Sequence, residues 1–229
     1  MKPHKIYKIA RLIPGPVRKV VKIFYNPKIP VISKLDYGEM AFPENSMNFL
    51  LDMFKLILLK KVKGDIIEFG AYKGGTTIRL AKCLRELGIK DRIVYGLDTF
   101  EGMPERTKED SLPEFFEGSM DNVDIDKLNE LIKKENLEEV IALRKGLFKE
   151  TLLSLKDKRF CFAFIDCVLY DGTKQALEFL IPRMNRGGII VIDDYFSKNL
   201  IGVKKAVLEF FKEEEFIIYM NKLYFFKIQ

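Results

Sequence analysis

Between Pro43 and Lys61 the apolar residues Met47, Leu50, Leu51, Phe54, Ile57 and Leu58 recur at three- and four-residue intervals. That spacing puts them on one face of a helix, which Lys63-Gly64 closes. The rhythm then changes. Short runs that are apolar throughout predict strands from Asp65 to Gly70, Arg92 to Thr99, Val140 to Lys145, Phe160 to Cys167 and Gly188 to Asp193. Helical patterns separate them, from Gly75 to Leu87, Ile125 to Glu135, Asp171 to Met184 and Ile201 to Glu214. Strands of this kind, alternating with helices, predict a parallel sheet covered on both faces. The end differs: Phe216 to Met220 and Leu223 to Ile228 are β-rich runs joined by Asn221-Lys222, which predicts an antiparallel hairpin. The expectation is a doubly wound α/β domain, with a mostly parallel seven-stranded sheet and an antiparallel C-terminal hairpin.

Two segments stand outside that alternation. Residues 1–42 form a basic arm, in which apolar residues at helical intervals make two pieces broken by Pro14-Gly15-Pro16 and closed by Asn26-Pro27. The arm reads as a solvated lid, or, over residues 1–28, as a contact for a membrane surface or an anionic partner. The expected division is therefore an arm over 1–42 and one domain over 43–229. From Thr99 to Asp124, glycines, prolines, acids and aromatics follow no period; connections this long in a compact domain are usually functional covers, so it reads as part of a substrate lid.

Charge and cysteine content narrow the class. Of the net charge of +6, residues 1–35 supply nine Lys/Arg and no acid, which leaves 30 Lys/Arg against 33 Asp/Glu in the remaining chain. A slightly acidic body with little aromatic interleaving in its basic arm argues against a nucleic-acid partner. Cys83, Cys161 and Cys167 have neither CxxC spacing nor an even count, which favours a reducing compartment, the cytoplasm, over disulfides or zinc. Apolar runs fall short of the roughly 20 residues that span a bilayer, and the N-terminus lacks the pattern of a secretion signal. His4, the one histidine, sits in the arm as a bystander.

Open α/β sheets bind ligands beyond the carboxyl ends of their strands. The tips here are Glu68-Phe69-Gly70, Asp98, Lys145-Gly146, Asp166 and Asp193-Asp194, four of the five acidic. The turn EFGAYKGGTT is not a dinucleotide fingerprint, since GxGxxG is absent, and Thr76 stands where a triphosphate loop needs lysine. A nucleoside cofactor without phosphates remains, held by Glu68 and the turn of Gly70, Gly75 and Thr76, with Asp98 accepting from ribose hydroxyls. S-adenosylmethionine suits such an acid-lined site because its sulfonium is positive. The alternative is that Glu68 and Asp98 only finish strands and cap helices. Asp166, Asp193 and Asp194 end strands consecutive in the chain; three converging carboxylates repel unless a cation sits among them, and oxygen ligands suit Mg2+ or another hard divalent ion. The alternative for Asp193 or Asp194 is a cap on the next helix.

Taken together, IEFGAYKGGTT, GLDTFEGMPE, RKGLFKETL, FIDCVLYDGTKQALEFLIPRMNRGGIIVIDDY and GVKKAVLEFF resemble, in order and spacing, the TylF/macrocin-type O-methyltransferases, a class I S-adenosylmethionine-dependent family. The similarity covers about Lys63 to Glu214. It implies a Rossmann-like fold and metal-assisted methyl transfer to a hydroxyl of a sugar or related small molecule. It implies cofactor contacts at Glu68, Gly70, Gly75 and Asp98, with Gly146-Leu147 beside the adenine, and metal binding by Asp166, Asp193 and Asp194. The family pattern D-x-D-L-Y becomes Asp166-Cys167-Val168-Leu169-Tyr170. Valine replaces the acid that would take the hydroxyl proton. That leaves three readings: a proton accepted elsewhere, with Asp171 the candidate base beside Asp166 at the reaction centre; a more acidic phenol or catechol acceptor; or an impaired S-adenosylmethionine-binding regulator or scaffold. A homo-oligomer is compatible with each.

Overall fold

A computed structural model describes residues 37–38, 44–110, 117–211, 217–220 and 223–227. His4 and the segment 1–28 lie outside them. At the near end of the arm, the Asp124 amide donates to the Tyr37 hydroxyl at 2.6 Å and the Gly38 amide to the Lys73 carbonyl at 2.9 Å.

The chain runs α1 (Glu44–Leu59), β1 (Asp65–Phe69), α2 (Gly75–Glu86), β2 (Val94–Asp98), α3 (Ile125–Lys134), β3 (Ile141–Lys145), α4 (Phe148–Thr151), β4 (Phe160–Ile165), α5 (Tyr170–Leu180), β5 (Met184–Ile192) and α6 (Ile201–Leu208), then β6 (Ile217–Met220) and β7 (Leu223–Lys227). Five strands pair in parallel in the order β3-β2-β1-β4-β5, and β7 followed by β6 extends the β5 edge antiparallel. The expected parallel α/β sheet is present.

Alternation along the strands fills two cores. Ile66, Phe162, Phe164 and Val191 pack with α1, α2 and α3, while Ile67, Phe69, Ile165 and Ile192 pack with α5 and α6 on the opposite face. Strand β4 breaks the alternation once: Phe160 belongs to the second core, but Cys161 and Phe162 both belong to the first. The pairing with β5 jumps there from Phe160↔Met184 to Phe162↔Ile189. Such a bulge resets which residues face which helix layer up to the strand tip.

Several boundaries differ from the periodic reading. Helix α5 ends at Leu180, not Met184, because Pro182 has no amide to continue it; Ile181–Arg183 form a 3₁₀ turn and Met184 opens β5, ahead of the expected start at Gly188. Helix α6 stops at Leu208, with Glu209 as its C-cap. Helix α4 and the 3₁₀ turn Leu152–Leu155 had no sequence expectation, because two short turns in succession carry too few residues to set a period.

Candidate active site

Strand order reverses between β1 and β4, and beyond their carboxyl ends lies a cavity of about 530 Å³, within the usual range for small-molecule sites. Every parallel strand sends its first loop residues into the wall: Gly70 and Tyr72 after β1, Thr99 after β2, Gly146 to Phe148 after β3, Asp166 to Leu169 after β4, Asp193-Asp194 after β5. Strand β2 adds its own last residue, Asp98.

The turn after β1 has no room for a side chain. Gly70 has φ +91°, and a Cβ on it would fall on the Asp166 carbonyl oxygen. Glycine therefore lets the β1 turn lie against the β4 tip. The amides of Gly70 and Ala71 both donate to the Leu97 carbonyl, at 2.8 and 3.1 Å. Asp98 closes the arrangement: Oδ2 accepts from the Tyr72 amide at 2.9 Å and Oδ1 from the Phe100 amide at 2.8 Å. Burial, the larger effect, raises its pKa, and these amide donors oppose the rise. Oδ1 also accepts from the Thr99 hydroxyl at 3.4 Å, whereas Oδ2 keeps a lone pair for a further donor, so Asp98 both braces two loops and faces the cavity.

Glu68, Gly75 and Thr76 do not line the cavity. Glu68 shares its strand face with Ile66, turns toward the α2 layer and is 2% exposed; the Thr77 hydroxyl donates to its carboxylate. Burial pushes its pKa up to about 8 despite that donor. Gly75 and Thr76 are buried in the first turn of α2. These three residues support the glycine turn from behind.

The acids of β4 and β5 do converge. Ile165 pairs with Ile192, and the Asp193 amide donates to the Ile165 carbonyl at 2.9 Å, so the residues just past both strands lie side by side. Asp194, at φ +59°, turns the chain back, and its amide donates to Asp193 Oδ1 at 2.8 Å. One carboxylate oxygen from each of Asp166, Asp193 and Asp194 fits within a mutual separation of 4.8 Å. Helix α6 begins at Ile201 with Leu200 as its N-cap, so neither Asp193 nor Asp194 caps it. The grouping is all oxygen, with Asp193 buried and Asp166 and Asp194 half-buried, and these are the donors a hard divalent cation takes.

Between Asp166 and α5 the backbone is strained. The Leu169 amide donates to the Cys167 carbonyl at 2.6 Å around Val168, which sits at φ +64°. A three-residue turn with positive φ is rare, and a β-branched residue there costs roughly 1–3 kcal/mol. Val168 lines the cavity, with Met103, Leu147 and Phe148 elsewhere in the same wall. Tyr170 points away: its hydroxyl donates to Glu209, which also pairs with Lys174 at 2.8 Å, pinning α5 to α6. Asp171 lies exposed at the rim, its Oδ2 accepting from Gln175 Nε2 at 2.5 Å. Burial pushes the Cys167 thiol up to about 12.

The cover segment, read from the sequence as part of a substrate lid, supplies further wall residues. Gly102 to Thr107 and Met120 enclose the cavity; the Met103 amide donates to the Ser119 carbonyl at 2.7 Å and the Gly118 amide to the Met103 carbonyl at 2.8 Å. Among the described residues, the lining acids with Glu105 number six against two cations, Arg106 and Lys149.

The family model for macrocin-O-methyltransferase (TylF) matches residues 38–223. A Streptomyces olivaceus protein described as 8-demethyl-8-(2,3-dimethoxy-alpha-L-rhamnosyl)-tetracenomycin-C 4'-O-methyltransferase is 33% identical over 147 residues, 61% of this chain and 56% of that one. Mycinamicin III 3''-O-methyltransferase of Micromonospora griseorubida is 28% identical over 161 residues, 65% of this chain and 62% of that one. The chain thus matches less than two thirds of the length of these relatives. Among solved structures, the O-methyltransferase NovP aligns with a TM-score of 0.71 at 24% identity, covering 80% of this chain and 79% of that one. That likeness is one of fold.

Proposed function

Because the chain belongs to the macrocin O-methyltransferase (TylF) family, we propose that it is an S-adenosylmethionine-dependent, metal-assisted O-methyltransferase acting on a hydroxyl of a sugar or related small molecule. The observation that carries the proposal is the convergence of Asp166, Asp193 and Asp194 in the same cavity as Gly70, Asp98 and Gly146. A donor site and an acceptor site that share one wall are what an in-line displacement requires.

On this reading Gly70, Asp98, Gly146 and Leu147 hold the methyl donor, and Glu68, Gly75 and Thr76 stiffen the turn behind it. Two relatives named as O-methyltransferases, one of a rhamnosyl-bearing tetracenomycin and one of mycinamicin III, support a sugar acceptor. Methyl transfer forms one C–O bond, breaks one C–S bond and releases the hydroxyl proton. Asp166, Asp193 and Asp194 would hold the divalent cation, which when bound lowers the pKa of a coordinated hydroxyl. Val168 cannot take the released proton. Asp171 is the acid at the rim nearest in the chain, and Gln175 orients its carboxylate. The antiparallel pair β6-β7 completes a seven-stranded methyltransferase sheet, residues 43–229 form the catalytic domain and 1–42 an arm. The free Cys83, Cys161 and Cys167 suit the cytoplasm, and among the described residues no helix is long and apolar enough to cross a membrane.

Val168 also favours a second reading. Its methyl groups in the wall suit an aromatic face, and a phenol or catechol needs less help to ionise; if turnover is lost altogether, the fold remains a donor-binding regulator. The test is calorimetry with S-adenosylmethionine, with and without MgCl2, followed by S-adenosylhomocysteine release with methyl α-L-rhamnopyranoside and with catechol. Mg2+-dependent release with the sugar supports the proposal. Release with catechol alone favours the phenol reading, tight binding without release on either favours the regulator, and no heat with the donor sinks all three.

A further inference from the structure

Helix α5 starts without a side-chain cap of its own, because its N-cap residue is Leu169. The missing acceptor comes from a residue sixty positions earlier. Asp110, at the end of the described part of the cover, accepts from the Tyr170 amide through Oδ1 at 2.8 Å. Its other oxygen, Oδ2, accepts from the amide and the hydroxyl of Thr107, both at 3.0 Å. One carboxylate therefore folds the cover back on itself and fixes the first peptide of α5. The neighbouring Glu109 pairs with Lys205 of α6 at 3.0 Å. At Gly202 a Cβ would meet Asp110 Oδ1, so glycine there leaves space for the carboxylate to reach α5.

The position fixed in this way matters. Only three residues, Cys167 to Leu169, connect Asp166 at the tip of β4 to Tyr170, and they contain the strained turn at Val168. A positive-φ β-branched residue persists only where its surroundings hold both ends of the turn. The Asp166 amide, bonded to the Phe69 carbonyl at 2.9 Å, holds one end; the Asp110 carboxylate holds the other.

We infer that Asp110 is a positioning residue that fastens the cover segment 99–110 to the Asp166–Asp171 turn, so that cover docking and the shaping of the acceptor wall are one event. The consequence for methyl transfer rests on the proposed function; the coupling itself does not.

The test uses the full chain and two readouts that need no turnover: amide hydrogen exchange at Tyr170, and trypsin cleavage after the exposed Arg106 and Lys108 of the cover. In Asp110→Ala, both are expected to rise about tenfold, the size of effect that goes with loss of a helix cap. Asp110→Asn, whose carboxamide oxygen can still accept from Tyr170, recovers part of the protection. The decisive variant keeps Asp110: Thr107→Val with Lys205→Met loosens the cover from its far side and is expected to speed Tyr170 exchange several-fold. Faster cover cleavage with Tyr170 exchange at its wild-type rate in that double variant overturns the inference, even if Asp110→Ala fails to fold. With S-adenosylmethionine and methyl α-L-rhamnopyranoside, the acceptor KM is expected to rise about tenfold in Asp110→Ala with a smaller change in kcat. Exchange changes without any turnover in the wild type support the clamp and count against the proposed function.

Discussion

The Thr77 hydroxyl donates to the Glu68 carboxylate behind the glycine turn, fastening α2 to β1 through an acid fully enclosed by protein. Burial holds the Glu68 pKa at about 8 against the usual 4.5. Between those values the folded chain keeps a proton that the unfolded chain releases. Stability is therefore expected to be greatest below about pH 4.5 as far as this group is concerned, to fall as pH rises to about 8, and to level off above. The slope is at most about 1.4 kcal/mol per pH unit. Asp98, also raised by burial, acts in the same direction. Glu68→Gln, which keeps an acceptor for Thr77, should flatten the profile; urea midpoints at pH 5, 6, 7 and 8 measure it, and equal slopes in both proteins would refute the assignment.

Gly70→Ala is expected to cost about 3 kcal/mol or more, combining a left-handed backbone with a collision against the β4 tip. Gly88→Ala is the control: its φ is +68°, but a Cβ there meets nothing within 4 Å. That variant should lose only about 1 kcal/mol. Urea denaturation of the pair separates conformational strain from the close approach of two strand tips.

Mg2+ or Mn2+ at a hundredfold excess over its dissociation constant should stabilise the wild type by about 2.7 kcal/mol. Asp193→Asn should abolish that gain. In chelator, the same variant should melt higher than the wild type, because one of three mutually repelling carboxylates within 4.8 Å has lost its charge. Differential scanning calorimetry with and without chelator reads both effects; a metal-induced shift that survives in Asp193→Asn would remove the triad from consideration.

Val168→Asp places a carboxylate in the cavity wall at a backbone conformation that aspartate tolerates better than valine. Turnover on a sugar acceptor should rise about 10²-fold, the lower end of what base catalysis contributes. Single-turnover S-adenosylhomocysteine formation measures it, and an unchanged rate would show that the proton leaves by another route.

Much of the fold is legible in the chain. Short continuous apolar runs mark strands buried on both faces and period 3.6 marks one-sided helices, and burial acts on those properties one element at a time. Where a local rule competes, the reading slips: Pro182 ends α5 early, and α4 is too short to show a period. Within the site, strand tips rich in acid marked Asp98, Asp166, Asp193 and Asp194 as cavity residues, and the structure puts all four in the wall. The same logic pointed to Glu68, whose carboxylate turns toward Thr77 of α2, because a strand tip does not say which face its side chain takes.

By itself, the sequence determined which strands alternate with helices, which tips are acidic, and that the place of a second acid is held by Val168. Those are properties of single residues and their neighbours. Only the tertiary structure decided that Glu68 looks away while Asp193 and Asp194 look in, that Asp98 spends part of its capacity on two loop amides, and that Asp110 serves a helix sixty residues away. Such relationships depend on strand order and on register between distant segments, which hydrophobic burial selects for the whole molecule at once and no local pattern records.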